Sequence, residues 1–137
     1  MAILEIECAI QISAVIINKC IKNNISLNTS KLMKLLYIMQ IEHVLKYNTL
    51  MFTDQIKDSE YGPVIPSVEE YYNFGGLGFD KKVEQDIFLI DSHEEIVDSV
   101  LKKYSGFLPH ELNNIIVNAP FYKWFIIDGV KKLHLGK

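Results

Sequence analysis

No helix can run through Tyr61-Gly62-Pro63-Val64-Ile65-Pro66. Proline has no amide donor and its ring crowds the preceding turn, while glycine opens backbone angles closed to other residues. Residues 50 to 66 therefore read as an irregular β-hairpin or extended arm, with Leu50, Phe52, Ile56, Tyr61 and Val64 separated by polar positions. Pro66 then opens a short helix in which Ser67 and Glu70 stand in the S-x-x-E relation of a capping box. That helix carries Tyr71 and Tyr72 and is expected to end at Gly75-Gly76, where glycine can take a left-handed cap.

Helical patterns flank this break. From Ile3 to about Asn23 the apolar residues fall on nearly every side of a helical wheel, the signature of a central helix. The turn cluster "NNISLNTS" follows, with Asn28 or Thr29 placed to cap a second helix from about Ser30 to Tyr47. Its Leu32, Leu35, Leu36, Met39 and His43 make one stripe, so the first two helices should pack together.

Beyond the break, residues 83 to 90 could form one short strand, and Ser92 with Glu95 suggests a second capping box opening a helix to about Tyr104. Gly106 ends it, Pro109 sits in the first turn of the next helix, and Pro120 closes that one before "FYKWFII". The expected fold is α+β and predominantly helical: a single compact domain over residues 1–137, about five or six helices with a small β-hairpin or short sheet.

Charge argues against sequence-reading nucleic-acid binding, although lysine can still touch backbone phosphate. The net charge is -3, and the basic residues are all lysine with no arginine, so bidentate guanine reading lacks its usual side chain. The pairs Lys81-Lys82, Lys102-Lys103 and Lys131-Lys132 read as solvated surface. Cys8 and Cys20 lack metal or redox spacing and are expected to be buried, reduced thiols. Glu5 and Glu7 stand where a signal peptide needs positive charge, and the uncharged run from Cys8 to Asn18 is too short for a bilayer, so a cytoplasmic protein is expected.

Catalytic patterns fail on inspection. "HELNN" at 110–114 has Asn114 where a zinc-protease motif needs its second histidine, and "GGLGF" follows a helix where a dinucleotide loop follows a strand. His43 sits on an apolar stripe with no nucleophile at a recognisable spacing, which reads as a satisfied, partly buried histidine; His93 and His134 read as surface. No metal, cofactor or enzymatic activity is expected. Tyr61, Tyr71, Tyr72, Phe74, Tyr122 and Trp124 remain as core or as a protein-binding face, and composition alone favours core.

Two linked motifs carry a family resemblance. Leu32, Lys34, Leu35, Leu36, Tyr37 and Gln40 give L-x-K-L-L-Y-x-x-Q, and Tyr61, Gly62, Pro63, Val64 and Pro66 give Y-G-P-V-x-P. Together with "NNIIVNAPFY" they resemble the Panacea domain, the SocA-like antitoxin family associated with phage proteins, over roughly residues 6 to 125. Ser59 stands where that family often has tryptophan, and Pro120-Phe121-Tyr122 replaces a PW-like element.

The resemblance implies a structural hinge at Y-G-P-V-x-P, with Tyr61 and Val64 pinning the arm to the helices. It also implies an antitoxin that binds a cognate toxin directly, or an adaptor that delivers the toxin to the ClpXP protease. A phage-encoded protein that blocks a host defence protein is a further alternative. The candidate contact residues are Tyr61, Tyr71, Tyr72 and Phe74, with Glu69 and Glu70 offering charge to a basic toxin.

Overall fold

The structure is a computed structural model that describes residues 8–74 and 87–118. Expectations for the chain before Cys8, the Gly75-Gly76 cap, residues 83–86 and everything from Ala119 onward lie outside those residues. So do the side chain of Phe74 and the residues Lys81, Lys82, Tyr122, Trp124, Lys131, Lys132 and His134.

Five helices and a two-stranded antiparallel sheet are described, a predominantly helical α+β fold: α1 (Ala9–Lys22), α2 (Thr29–Tyr47), β1 (Lys57–Ser59), β2 (Gly62–Val64), α3 (Pro66–Phe74), α4 (Asp91–Tyr104) and α5 (Pro109–Val117). No helix among the described residues is long and apolar enough to cross a membrane.

The central helix is α2, not α1. Every residue from Lys31 to Gln40 is buried, and α2 packs against α1, α3, α4, α5 and β2, whereas α1 packs on α2 and α3. A hydrophobic stripe underestimates α2 because its polar residues find partners inside. Lys31 Nζ donates to the carbonyls of Ser26 (3.0 Å) and Ser105 (2.5 Å). Gln40 Nε2 donates to the Phe52 carbonyl at 2.6 Å, while its Oε1 accepts from the amides of Met51 (2.7 Å) and Phe52 (3.3 Å). One side-chain amide thus does for an irregular segment what a neighbouring strand would do.

Local chemistry sets the ends of α2. Asn28 Oδ1 accepts from the Lys31 amide at 2.8 Å, and Asn48 closes the helix in the left-handed region at φ 60°. On α1, Cys8 at the N-terminus is exposed and only Cys20 is buried, so the expected pair of buried thiols reduces to one. Burial raises the pKa of the Cys20 thiol, with the Lys31 charge opposing.

Neither expected capping box forms. Helix α3 begins at Pro66, with the Ile65 carbonyl accepting from Val68 and Glu69, so Ser67 already lies inside the helix. Its Oγ donates instead to Asp54 Oδ2 at 2.7 Å, and Asp54 Oδ1 accepts from the Ala9 amide at 2.8 Å. One carboxylate therefore ties α3 to the positive end of α1. Helix α4 begins at Asp91, leaving Ser92 Oγ 3.4 Å from His43 Nε2 and Glu95 bonded to Lys46 and Tyr47 of α2. Residues 87–90 form no strand.

His93 is fully buried, not on the surface, with its ring 5.0 Å from that of His43. On α5, Glu111 Oε1 turns back to the Leu108 amide at 2.7 Å, so "HELNN" is a polar helix start. Lys102 and Lys103 are exposed, as expected. The core runs through Ile12, Ile16, Leu35, Leu36, Tyr37 and Phe52.

Candidate protein-binding face

The N-terminal half of α2, the β1–β2 hairpin and α3 enclose an open groove of about 540 Å³. Thr29, Ser30, Met33 and Lys34 form its α2 wall. Lys57, Asp58 and Tyr61 of the hairpin face them, with Pro63, Val64 and Glu69 completing the boundary.

Sequence explains how the hairpin sits so close to α2. Lys57 pairs with Val64, Asp58 with Pro63 and Ser59 with Gly62. Ser59 Oγ donates to the Gly62 carbonyl at 2.7 Å and accepts from the Tyr61 amide at 3.2 Å, which fixes the turn. Gly62 has φ 111°, and a Cβ there would stand 2.3 Å from Asn113 Oδ1 and 3.3 Å from Lys34 Cε. Glycine is thus required both for the backbone angle and for the approach to α2 and α5. One residue beyond β2, the Ile65 amide meets Met33 Sδ at 3.4 Å.

The candidate contact residues divide. Tyr61 is 75% exposed and does not pin the arm; Val64, packed against the core, does. The turn buries Gly62 and Pro63 and turns the preceding ring outward. Tyr71 is 44% exposed and meets Tyr72 edge to face at 4.8 Å. Tyr72 belongs to the core, and burial, with Tyr71 adding to it, pushes its hydroxyl up to about 12. Glu69 lies partly buried along the groove and Glu70 is exposed. The groove thus gathers Tyr61 and Glu69, while Glu70 and Tyr71 lie on α3 without lining it.

The helical motif is interior: Leu32, Leu35, Leu36 and Tyr37 are fully buried, Gln40 nearly so. Lys34 is buried as well, yet it lines the groove and donates to Ser30 Oγ at 2.9 Å. Lys34 and Asn113 escaped the sequence reading as parts of this site. A lysine inside an otherwise apolar run, four residues after a serine, was the available signal for the first; the second opens the "NNIIVNAPFY" segment of the family resemblance, with no pattern tying it to Gly62.

A second arrangement deserves a chemical test. His43 Nδ1 lies 2.8 Å from the Thr49 carbonyl and Nε2 3.4 Å from Ser92 Oγ, the order of groups in an activated serine. His43 is 2% exposed, however, so no substrate reaches it. Burial lowers its pKa, the Thr49 carbonyl opposes that, and nearby His93 adds to it, so this neutral imidazole joins α2 to α4. No group of three or more metal-ligating side chains lies together among the described residues.

The family model of the antitoxin SocA-like Panacea domain matches residues 32–124, more than half of the chain. The chain belongs to the SocA-like Panacea domain family. No curated protein and no solved structure matches it. The Panacea match opens at Leu32, the first residue of the helical motif, and continues through the hairpin, α3, α4 and α5. Within this Panacea domain the two motifs meet physically, since Gly62 of one approaches Lys34 of the other.

Proposed function

We propose that this Panacea-domain chain is an antitoxin that neutralises a partner toxin by direct protein contact, through the face built from the hairpin and α3. The observation that carries the reading is Tyr61. A motif whose glycine and first proline are buried holds its aromatic ring 75% exposed beside a groove. Tyrosine in that setting supplies a large, stiff contact surface with a polar tip, the chemistry of interface anchors. Glu69 and Glu70 place negative charge at the rim, suited to a basic toxin.

The test is growth rescue. The protein encoded beside this chain is expressed in a heterologous bacterium with and without it, and the two are co-purified. Arrest relieved by co-expression, with a stable complex that Tyr61→Ala and Tyr71→Ala together disrupt while the variant stays folded, supports the proposal. Relief that requires ClpXP and yields no stable complex replaces direct neutralisation with proteolytic delivery. A neighbour that causes no arrest removes the cognate-antitoxin reading.

A further inference from the structure

Lys34 carries a charge that the described residues do little to compensate. Its side chain is 4% exposed, and the hydroxyl of Ser30 is the hydrogen-bond partner of its ammonium. Among the described residues no carboxylate forms an ion pair with it. Lys31, one turn earlier and similarly buried, instead donates to two carbonyl oxygens. Burial lowers the pKa of Lys34.

The position is unfavourable on a second count. Side chains on a helix lean toward its N-terminus, and Lys34 reaches back to Ser30 in the first turn of α2. That is the positive end of the helix, where a cation is disfavoured and an anion favoured. A buried cation at a positive helix end, lining an open groove, is complementary to one kind of occupant.

The geometry points to an acidic side chain of the partner polypeptide as that occupant: its carboxylate pairs with Lys34 beside Ser30, and its apolar neighbours lie against Met33, Pro63 and Val64. This rests on the protein-contact reading above and specifies what the partner presents. Charge balance selects the ligand. Lys34 is the buried ammonium and matches one carboxylate, while the exposed Lys57 stands beside Asp58 and Glu69, so a multiply charged phosphate would meet two carboxylates along with its second cation. An inorganic anion would also leave the apolar side chains of the groove uncovered. Glu69, on the α3 side of the groove, favours a basic residue a short way along the partner segment.

The experiment uses the isotope-labelled wild-type chain and two peptides, acetyl-Leu-Glu-Leu-Lys-amide and acetyl-Leu-Gln-Leu-Lys-amide, followed by NMR. The expected result is saturable shifts at Ser30, Lys34 and Val64 with the glutamate peptide, and affinity about ten-fold weaker with the glutamine peptide, the size of a charge-assisted contact. Lys34→Met should erase the difference between the peptides. Equal affinity for both, saturable shifts with neither, or the same shifts from inorganic phosphate alone each overturn the proposal.

Rescue of growth separates this proposal from the one it rests on. A folded Lys34→Met chain that neutralises the neighbouring toxin as well as wild type sinks the Lys34 contact and leaves neutralisation standing. Failure of the wild-type chain to rescue sinks neutralisation itself.

Discussion

Replacing Gln40 with methionine keeps nearly the same shape and removes all three hydrogen bonds to the segment after α2. The Met51 amide and the Phe52 carbonyl lose partners at 2.7 and 2.6 Å, and the Phe52 amide loses a longer one at 3.3 Å. Met51 and Phe52 are fully buried, so water cannot take the place of the lost amide. An orphaned buried polar group costs roughly 1–3 kcal/mol, so the two short bonds set the expected loss at about 4 kcal/mol. That is a large share of the ~5–15 kcal/mol that holds a typical domain folded. In urea, with a slope of about 1–3 kcal/mol per molar, the unfolding midpoint should fall by more than about 1 M. Gln40→Glu supplies the control: an ionised carboxylate still accepts from Met51 but opposes the Phe52 carbonyl, so this variant should become more stable as acid protonates it. A Gln40→Met midpoint equal to wild type would refute the claim that this side chain holds residues 51 and 52 in place.

Gly62→Ala should cost about 2–4 kcal/mol, since the new methyl meets Asn113 Oδ1 and the backbone angle is strained; Asn113→Ala in the same chain should recover only the steric part, read by thermal melts. Tyr72→Ala should lose about 3 kcal/mol as a core truncation, while Tyr71→Ala should lose under about 1 kcal/mol and act mainly on partner binding; a Tyr71→Ala chain that unfolds would place that ring in the core after all. His43 has a folded pKa below its ordinary 6.5, so its contribution is fully present above that value and is lost as pH falls below it. Urea midpoints taken from about pH 7.5 down to about pH 5 should therefore decline, and His43→Gln should flatten the curve; an unchanged slope would show that the ring facing His93, Ser92 and Thr49 does not titrate in folding.

Residues whose partners lie nearby were legible in the sequence. Asn28 as a cap, the hairpin around Gly62, the end of α4 at Tyr104 and Pro109 at the start of α5 follow from local chemistry. Long-range partners defeated the rest. The S-x-x-E patterns at Ser67 and Ser92 looked like caps, but those hydroxyls meet Asp54 and His43, residues that local sequence cannot bring near. His93 looked solvated beside Glu94 and Glu95, although its spacing to Ile96, Val97 and Val100 already placed it on the buried face of α4. The division of Tyr71 from Tyr72 was similarly present in the pattern: Tyr72 lies four residues after Val68 and seven after Ile65, both buried, whereas Tyr71 keeps only the i+3 relation to Val68. Tyr61 was misplaced because a motif that packs was taken to pack at every position.

The two anchorages of the hairpin bear on how this chain can change in length. Asp54 is fixed by Ala9 and Ser67, Gly62 is seated against Lys34 and Asn113, and between them Ile56 packs on the core and β1 pairs with β2, which leaves Glu60 and Tyr61 as the exposed tip. Loop closure grows slowly with length, each doubling costing only about 0.6 kcal/mol. Insertions near Glu60 would therefore alter what the tip offers a partner while the helices beneath keep their packing, which makes this turn a natural site for grafting new recognition sequences.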